Sequence, residues 1–413
     1  MISGGRRRRT AVYAVGACLV TVTLGFLLKG QCLAPWSGGI QYSHLCYNDI
    51  QPLYVVRDIR GTFPYVHGGL VHGQLVGGAV EYPVLTGMFM WLTARLASSV
   101  DQYLVASALL LMPWALITAY LLARLTGRRA YLWAAAPALV LYSFHNWDLL
   151  AVAAATAGFY ELSRRKPVGA AALFGIGAAF KLYPGFFLLP LVTALWLDGQ
   201  RGRAAAAAGA GAGIFAVINL PFLLVSFSGW AATYRFHEQR AADYNSIWHW
   251  MAPGLSVGTL NTVTGALTAA SFALALVTGA VRYRRERVYP VAQVSGAMVA
   301  AFLLWSKVHS PQYALWLLPF FCMLRVNVRW WVAYSIADLA VYVGIFRWFY
   351  DLAYRHVEMT WARELLVAGI FLRAGLLAVL FGAFLASRSV KPLRRASQPW
   401  PRRKPSLVAV RSN

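Results

Sequence analysis

Apolar runs of about 15–25 residues recur from one end of this chain to the other, with no soluble-domain-sized polar stretch between them. Runs of that length can cross a bilayer only as helices, because backbone groups in lipid must find their hydrogen bonds within the segment. Composition agrees. Of the 413 residues, 59% are hydrophobic and 13% charged, against about 25% charged in soluble domains. The reading is an all-α polytopic membrane protein.

The charges set the topology. Lys and Arg number 38 against 14 Asp and Glu. The basic residues fall in short clusters between apolar runs, at 6–9, 127–129, 163–166, 201–203, 282–287, 325–329 and 388–404. Basic residues in alternate loops mark the cytoplasmic side. A nucleic-acid partner would call for a groove-facing basic patch instead, so no nucleic acid is expected. Residues 1–29 start like a signal peptide but lack a convincing small-x-small cleavage site, and read as a retained anchor.

With the N-terminus cytoplasmic, helices are predicted over 11–29, 103–123, 131–144, 149–162, 168–182, 184–198, 204–226, 258–281, 290–305, 312–325, 330–348 and 362–386. That makes about twelve spans in a multi-pass cell-membrane protein, with both termini inside. Residues 1–386 form one transmembrane domain, and 30–102 its long first extracytoplasmic loop. The tail, 387–413, reads as disordered and drawn to anionic headgroups of the membrane lipids. The run 81–97 tempts a thirteenth span. Counting it would put 127–129, 163–166 and 201–203 outside, so it is laid along the outer surface as an interfacial or re-entrant helix. Cys18 and Cys322 read as packing residues, whereas Cys32 and Cys46 share the outer loop, where a disulfide is possible.

On this topology most carboxylates lie outside, so chemistry should face outward. Asp49 follows the first membrane exit in "SHLCYNDIQPLY", beside Tyr47 and Asn48. Aromatic rings and amides suit a sugar, and Asp49 is a candidate base. The competing reading is a cap on the helix starting near Gln51. Glu81 is either a favourable charge at a helix start or a second carboxylate of the site. In "WSKVHSPQYALWLLP", Lys307, His309, Gln312 and Tyr313 cluster at an outer boundary. Lys beside His is a natural phosphate site; the alternative for Lys307 is snorkelling to the headgroups. Lys181, in "GAAFKLYPGF", lies outside against the charge trend. Its neighbouring turn "HNWD" supplies Asn146, Trp147 and Asp148; Trp147 also reads as an interface anchor and Asp148 as a helix cap. Asp338 lies within a span and is read as structurally paired.

Taken together, "YNDIQPLY", "EYPVLTG", "HNWDLLAV", "GIGAAFKLYPGFFLLP" and "SKVHSPQYALWLLP" resemble the glycosyltransferase family 87 proteins of actinobacteria. Among these polytopic GT-C enzymes the phosphatidylinositol-mannoside mannosyltransferases are best understood. The resemblance spans residues 40–320. It implies a GT-C fold with interfacial helices in the first outer loop, above a cavity open to the outer leaflet. It also implies a sugar donor on polyprenyl phosphate, commonly mannose, and inverting transfer without metal. The family's catalytic aspartate matches Asp49, and the His of its S-P-Q-Y region matches His309. The Gly- and His-rich stretch 59–79 departs from the mannoside enzymes, so the acceptor is not carried over.

The residues suit that chemistry. A lipid-phosphate sugar brings its own leaving group, so no cofactor is needed. One base must take the acceptor's proton, and fixed positive charge must meet the departing phosphate. The assignment is Asp49 as base, with Lys307, His309 and Lys181 on the phosphate. Tyr47, Asn48, Glu81, Asn146, Asp148, Gln312 and Tyr313 fall to the sugar and to a glycolipid or glycan acceptor. A lipid-linked-sugar flippase is the alternative. It should show paired broken helices or internal symmetry, and neither is evident. A scaffold for envelope assembly is the third class, and would not require these residues to converge.

Overall fold

The computed structural model describes residues 2–33 and 36–396. Helix α1 (Ile2–Gly30) leads into the first loop. That loop holds α2 (Ile40–Ser43), α3 (Ile50–Val56), an antiparallel hairpin of β1 (Gly69–Val71) and β2 (Gln74–Val76), and α4 (Val84–Ala94). Next come α5 (Val100–Thr126), α6 (Tyr131–Ala134), α7 (Pro137–Tyr142), α8 (Asp148–Ser163), α9 (Pro167–Phe180) and α10 (Leu188–Leu197). They are followed by α11 (Arg201–Val225), α12 (Phe227–Gln239), α13 (Ile247–Met251) and α14 (Val257–Glu286). The chain closes with α15 (Val291–Trp305), α16 (Ala314–Met323), α17 (Val328–Tyr350), α18 (Trp361–Ala386) and α19 (Lys391–Ala396).

The architecture is the expected all-α polytopic one, with a helix at each predicted span. Among the described residues, 6 helical stretches are long and apolar enough to cross a membrane. They include α1, α5, α11, α14, α17 and α18. The other expected spans are shorter. Residues 131–144 divide into α6 and α7 at Ala135–Ala136, because Pro137 opens a new helix. Helices α8, α15 and α16 are buried along nearly their whole length. Short helices and open turns at membrane depth are tolerable where protein, rather than lipid, surrounds them.

The basic clusters collect at one face. Arg129 donates to the carbonyls of Phe321, Cys322 and Leu324 at the end of α16. Arg282 donates to those of Leu385 and Ser387 at the end of α18. The Tyr283 hydroxyl donates to Leu197 O beside the 201–203 cluster. Close packing helps bring helices together: at Gly25 of α1 a Cβ would lie 2.9 Å from Val140 O and 3.0 Å from Leu139 O. Asp338 pairs with Arg373 of α18 at 3.4 Å, both side chains almost fully buried, as the structural reading expects.

Four features depart from expectation. The Gly-rich stretch forms the β1–β2 hairpin, turned by His72 and Gly73 at φ 47° and 75°, as two-residue hairpin turns require. Helix α12 carries no membrane-length apolar run and left no signal in the hydropathy pattern. Trp147 is no interface anchor, being 1% exposed and packed edge-on against Tyr82. Residues 387–396, expected to be disordered, are ordered: Ser389 pairs with Leu324, Val390 N donates to Met323 O, and α19 follows. The rest of the tail lies outside the described residues.

Candidate active site

Opposite the basic face lies a cavity of about 840 Å³. Its wall draws on the first loop, the α7–α8 and α9–α10 turns, α12 and the segment after it, the α15–α16 turn, and α17. Helix α4 does not cross the bundle. It is 11 residues long, and both flanks stay at this end: Tyr82 lines the cavity, and Tyr54 Oη donates to Ala97 O.

Asp49 sits at the N-terminal boundary of α3, yet its carboxylate makes no capping bond. Asn48 does that work, its Oδ1 accepting from Gln51 N at 2.9 Å while its own amide donates to Gln51 Oε1. Asn48 is thus a buried structural residue outside the cavity wall. This frees Asp49, 24% exposed, to face the cavity. Asn146 Nδ2 donates to Asp49 Oδ2 at 2.8 Å and to the Tyr82 hydroxyl at 2.7 Å. Its Oδ1 accepts from Trp147 N, so Asn146 orients the carboxylate from behind the wall. Burial pushes the Asp49 pKa up, against hydrogen bonds from Asn146 and Tyr47 and the charges of Lys181 and Lys29. A carboxylate with a raised pKa and an open face is suited to act as a base.

His145 stands 4.0 Å from Asp49 Oδ2. Burial and then the Lys29 charge hold its pKa well below the ordinary value, so it is neutral. Its Nδ1 meets Tyr47 O at 3.1 Å, which Lys29 Nζ also reaches at 2.6 Å. The backbone two residues before Asp49 is therefore pinned from both sides. A disulfide, Cys32–Cys46, closes the loop just ahead of it.

Asp148 does not cap α8. Its oxygens take Lys181 Nζ at 3.1 Å and Trp316 Nε1 at 2.7 Å, with the carboxylate fully buried. Lys181 lies over the rings of Tyr82, Tyr313 and Trp316. Tyr313 and Tyr183 stack on Trp316 with centroids 3.9 and 4.2 Å away. Burial pulls the Lys181 pKa down, but Asp148, Tyr313 and Asp49 outweigh it, so Lys181 stays charged. Glu81 lines the cavity and pairs with Arg57 at 2.9 Å.

Lys307 and His309, like Asn48 and Asp148, are engaged by the protein. Lys307 lines the cavity, but its three N–H donors go to Glu238 O, Arg240 O and Asn261 Oδ1. An ammonium has three to give, so this one ties the end of α12 to α14. His309 lies behind the wall, with Nδ1 against Leu303 O at 2.9 Å; burial, then Arg373, keeps it neutral. Another cation stands in "YRFHEQR". Arg240 lines the cavity, stacks over Phe236, and has no side-chain hydrogen bond among the described residues. Gln312 Oε1, Asn245 Oδ1 and Tyr234 Oη, all on wall residues, likewise have no protein partner. Nothing in the sequence singles out Arg240, Asn245 or Tyr234, because they lie between apolar runs and reach the cavity only through the placement of α12.

The sequence profile of glycosyltransferase family 87 matches residues 80–311, more than half of the chain. The chain belongs to glycosyltransferase family 87. It is a membrane glycosyltransferase, and a sugar-transfer site is what the cavity has to provide. No curated protein matches it. Among solved structures it is similar to the crystal structure of ArnT from Cupriavidus metallidurans bound to undecaprenyl phosphate. The identity is 14%, over 88% of this chain and 78% of that one, with a TM-score of 0.39.

Proposed function

We propose that this glycosyltransferase moves a sugar, mannose first among candidates, from a polyprenyl-phosphate donor to a hydroxyl of a glycolipid or glycan. Transfer inverts the anomeric centre, and Asp49 is the base. The observation that carries the reading is the Asp49 carboxylate, excused from capping by Asn48, oriented by Asn146 and facing the cavity. Asp49 takes the acceptor's proton as its oxygen attacks the anomeric carbon. The bond to the donor phosphate breaks, and the phosphate leaves with the electron pair.

Arg240 offers unengaged donors to that phosphate, and Lys181 adds a second positive charge on the wall. The stacked Tyr313 and Trp316 present apolar surface to the sugar. Gln312 Oε1 and Asn245 Oδ1 are ready acceptors for its hydroxyls. The basic clusters at the opposite face support a cavity turned away from the cytoplasm. A disulfide next to Asp49 suits the oxidising side.

The test is transfer of radiolabelled sugar from synthetic polyprenyl-phosphate-mannose to a membrane lipid extract, with wild type and Asp49→Asn side by side. Labelled product from wild type alone supports donor and base together. Equal transfer by both proteins removes Asp49 as base. Transfer by wild type from another lipid-linked sugar, but not from mannose, removes mannose and leaves the reaction class.

A further inference from the structure

At the face opposite the active site, the ordered start of the tail divides two arginine-lined cavities. One, about 420 Å³, is bordered by Arg282 of α14, Gln293 of α15, and Arg388 and Arg394 of the tail. The other, about 410 Å³, is bordered by Arg8 of α1, Arg124 of α5, Arg164 after α8, and Pro392 of α19. Together they gather six guanidinium groups around α19. Two of the six are paired with carboxylates, Arg282 with Glu286 of the same cavity and Arg164 with Glu161, which leaves Arg8, Arg124, Arg388 and Arg394 without a carboxylate among the described residues.

The arrangement is built by the fold. Arg282 binds Leu385 O and Ser387 O, and Gln293 Nε2 reaches Ser387 O, which turns the chain back at the end of α18. Val390 N to Met323 O and Arg325 N to Arg388 O then hold the following residues against the end of α16. As a result Arg388 and Arg394 border a cavity, although their side chains make no hydrogen bond among the described residues. Converging like charges oppose folding unless an anion compensates them, and guanidinium forks match phosphate oxygens. Helices α1, α5 and α14, each long and apolar enough to cross a membrane, each have one end here.

We propose that the two cavities flanking α19 bind phosphate-bearing anions, the headgroups of anionic phospholipids in the leaflet opposite the active site. The proposal is independent of the donor and the sugar. It assigns the tail helix a role as part of a lipid site, beyond diffuse attraction of a basic tail.

The experiment is thermal unfolding of the full chain in neutral detergent, titrated with phosphatidylglycerol, phosphatidylcholine or inorganic phosphate. It compares wild type, Arg388→Gln/Arg394→Gln and Arg285→Gln, the last removing an exposed charge of α14 outside both cavities. Phosphatidylglycerol should raise the midpoint saturably and phosphatidylcholine should not. The double variant should need more than about tenfold more phosphatidylglycerol, since it loses two groups that make charge-assisted hydrogen bonds to the headgroup phosphate. Arg285→Gln should titrate like wild type. A saturable shift with inorganic phosphate as well would make free phosphate an occupant of the same site. Equal response to phosphatidylcholine, equal loss in Arg285→Gln, or no shift with any anion would overturn the proposal. If the double variant does not fold, Arg394→Gln alone reads the same difference.

Discussion

Asn146 and Asp49 lie 97 residues apart in the chain, and one nitrogen of the first donates to one oxygen of the second at 2.8 Å. Asn146 is itself fixed by Tyr82 and by the backbone of Trp147, so the carboxylate inherits its aim from the α7–α8 turn. Asn146→Ala should lower kcat about 10–100-fold, as expected for one charge-assisted hydrogen bond. The pH profile separates positioning from simple damage. Asn146 favours ionised Asp49, so its removal raises a pKa that burial has already raised. A base works above its pKa, so the acid limb of the rate profile should move to higher pH.

Asp49→Asn should divide activity from stability. Loss of general-base help lowers the rate about 10²–10⁴-fold. The buried charge, however, is a cost to the fold, as its raised pKa shows. Neutralising it should leave the unfolding temperature unchanged or higher, measured in the same detergent as the transfer assay.

The Lys181–Asp148 pair should behave as a buried ion pair does. Asp148→Asn strands a positive charge among rings and should cost about 3–5 kcal/mol of stability. Adding Lys181→Met removes the stranded charge and should recover most of that loss. Unfolding midpoints of the two singles and the double form the cycle that checks it.

Arg240 and Lys307 line the same cavity and should respond differently. Arg240 has donors to give a ligand, so Arg240→Gln should raise KM for the lipid-phosphate donor about 10–100-fold with little change in stability. Lys307 spends its donors on the protein, so Lys307→Met should lower the unfolding midpoint. If instead Lys307→Met raised KM for the donor at unchanged stability, the two roles would be reversed.

Cys32 and Cys46 close a loop of 14 residues, worth about 3 kcal/mol in the chain-entropy account. The loop meets α3 through Gln51 Nε2 and Cys32 O. Cys32→Ser/Cys46→Ser should unfold at lower temperature than wild type. Reductant should lower the unfolding midpoint of wild type and leave that of the double variant unchanged.

The membrane class, the helix positions and the gathering of basic clusters at one face all followed from the sequence. Each rests on local chemistry: apolar length, charge parity and proline position. Asp49, Lys181, Asn146, Asp148, Gln312 and Tyr313 were legible as candidates because polar residues at the edges of apolar runs are conspicuous. Which of them face the cavity was not legible, since a side chain's direction depends on helices far away in sequence. Asn48 relieved Asp49 of capping, backbone carbonyls took the donors of Lys307, and His309 turned behind the wall against Leu303 O. Arg240 lies in a polar segment with no periodicity to mark it, and only the docking of α12 brought it to the cavity. Sequence determined which groups are available at the edges of the apolar runs. Tertiary packing decided which of them keep unspent hydrogen-bonding capacity, because that capacity depends on every neighbour a group meets.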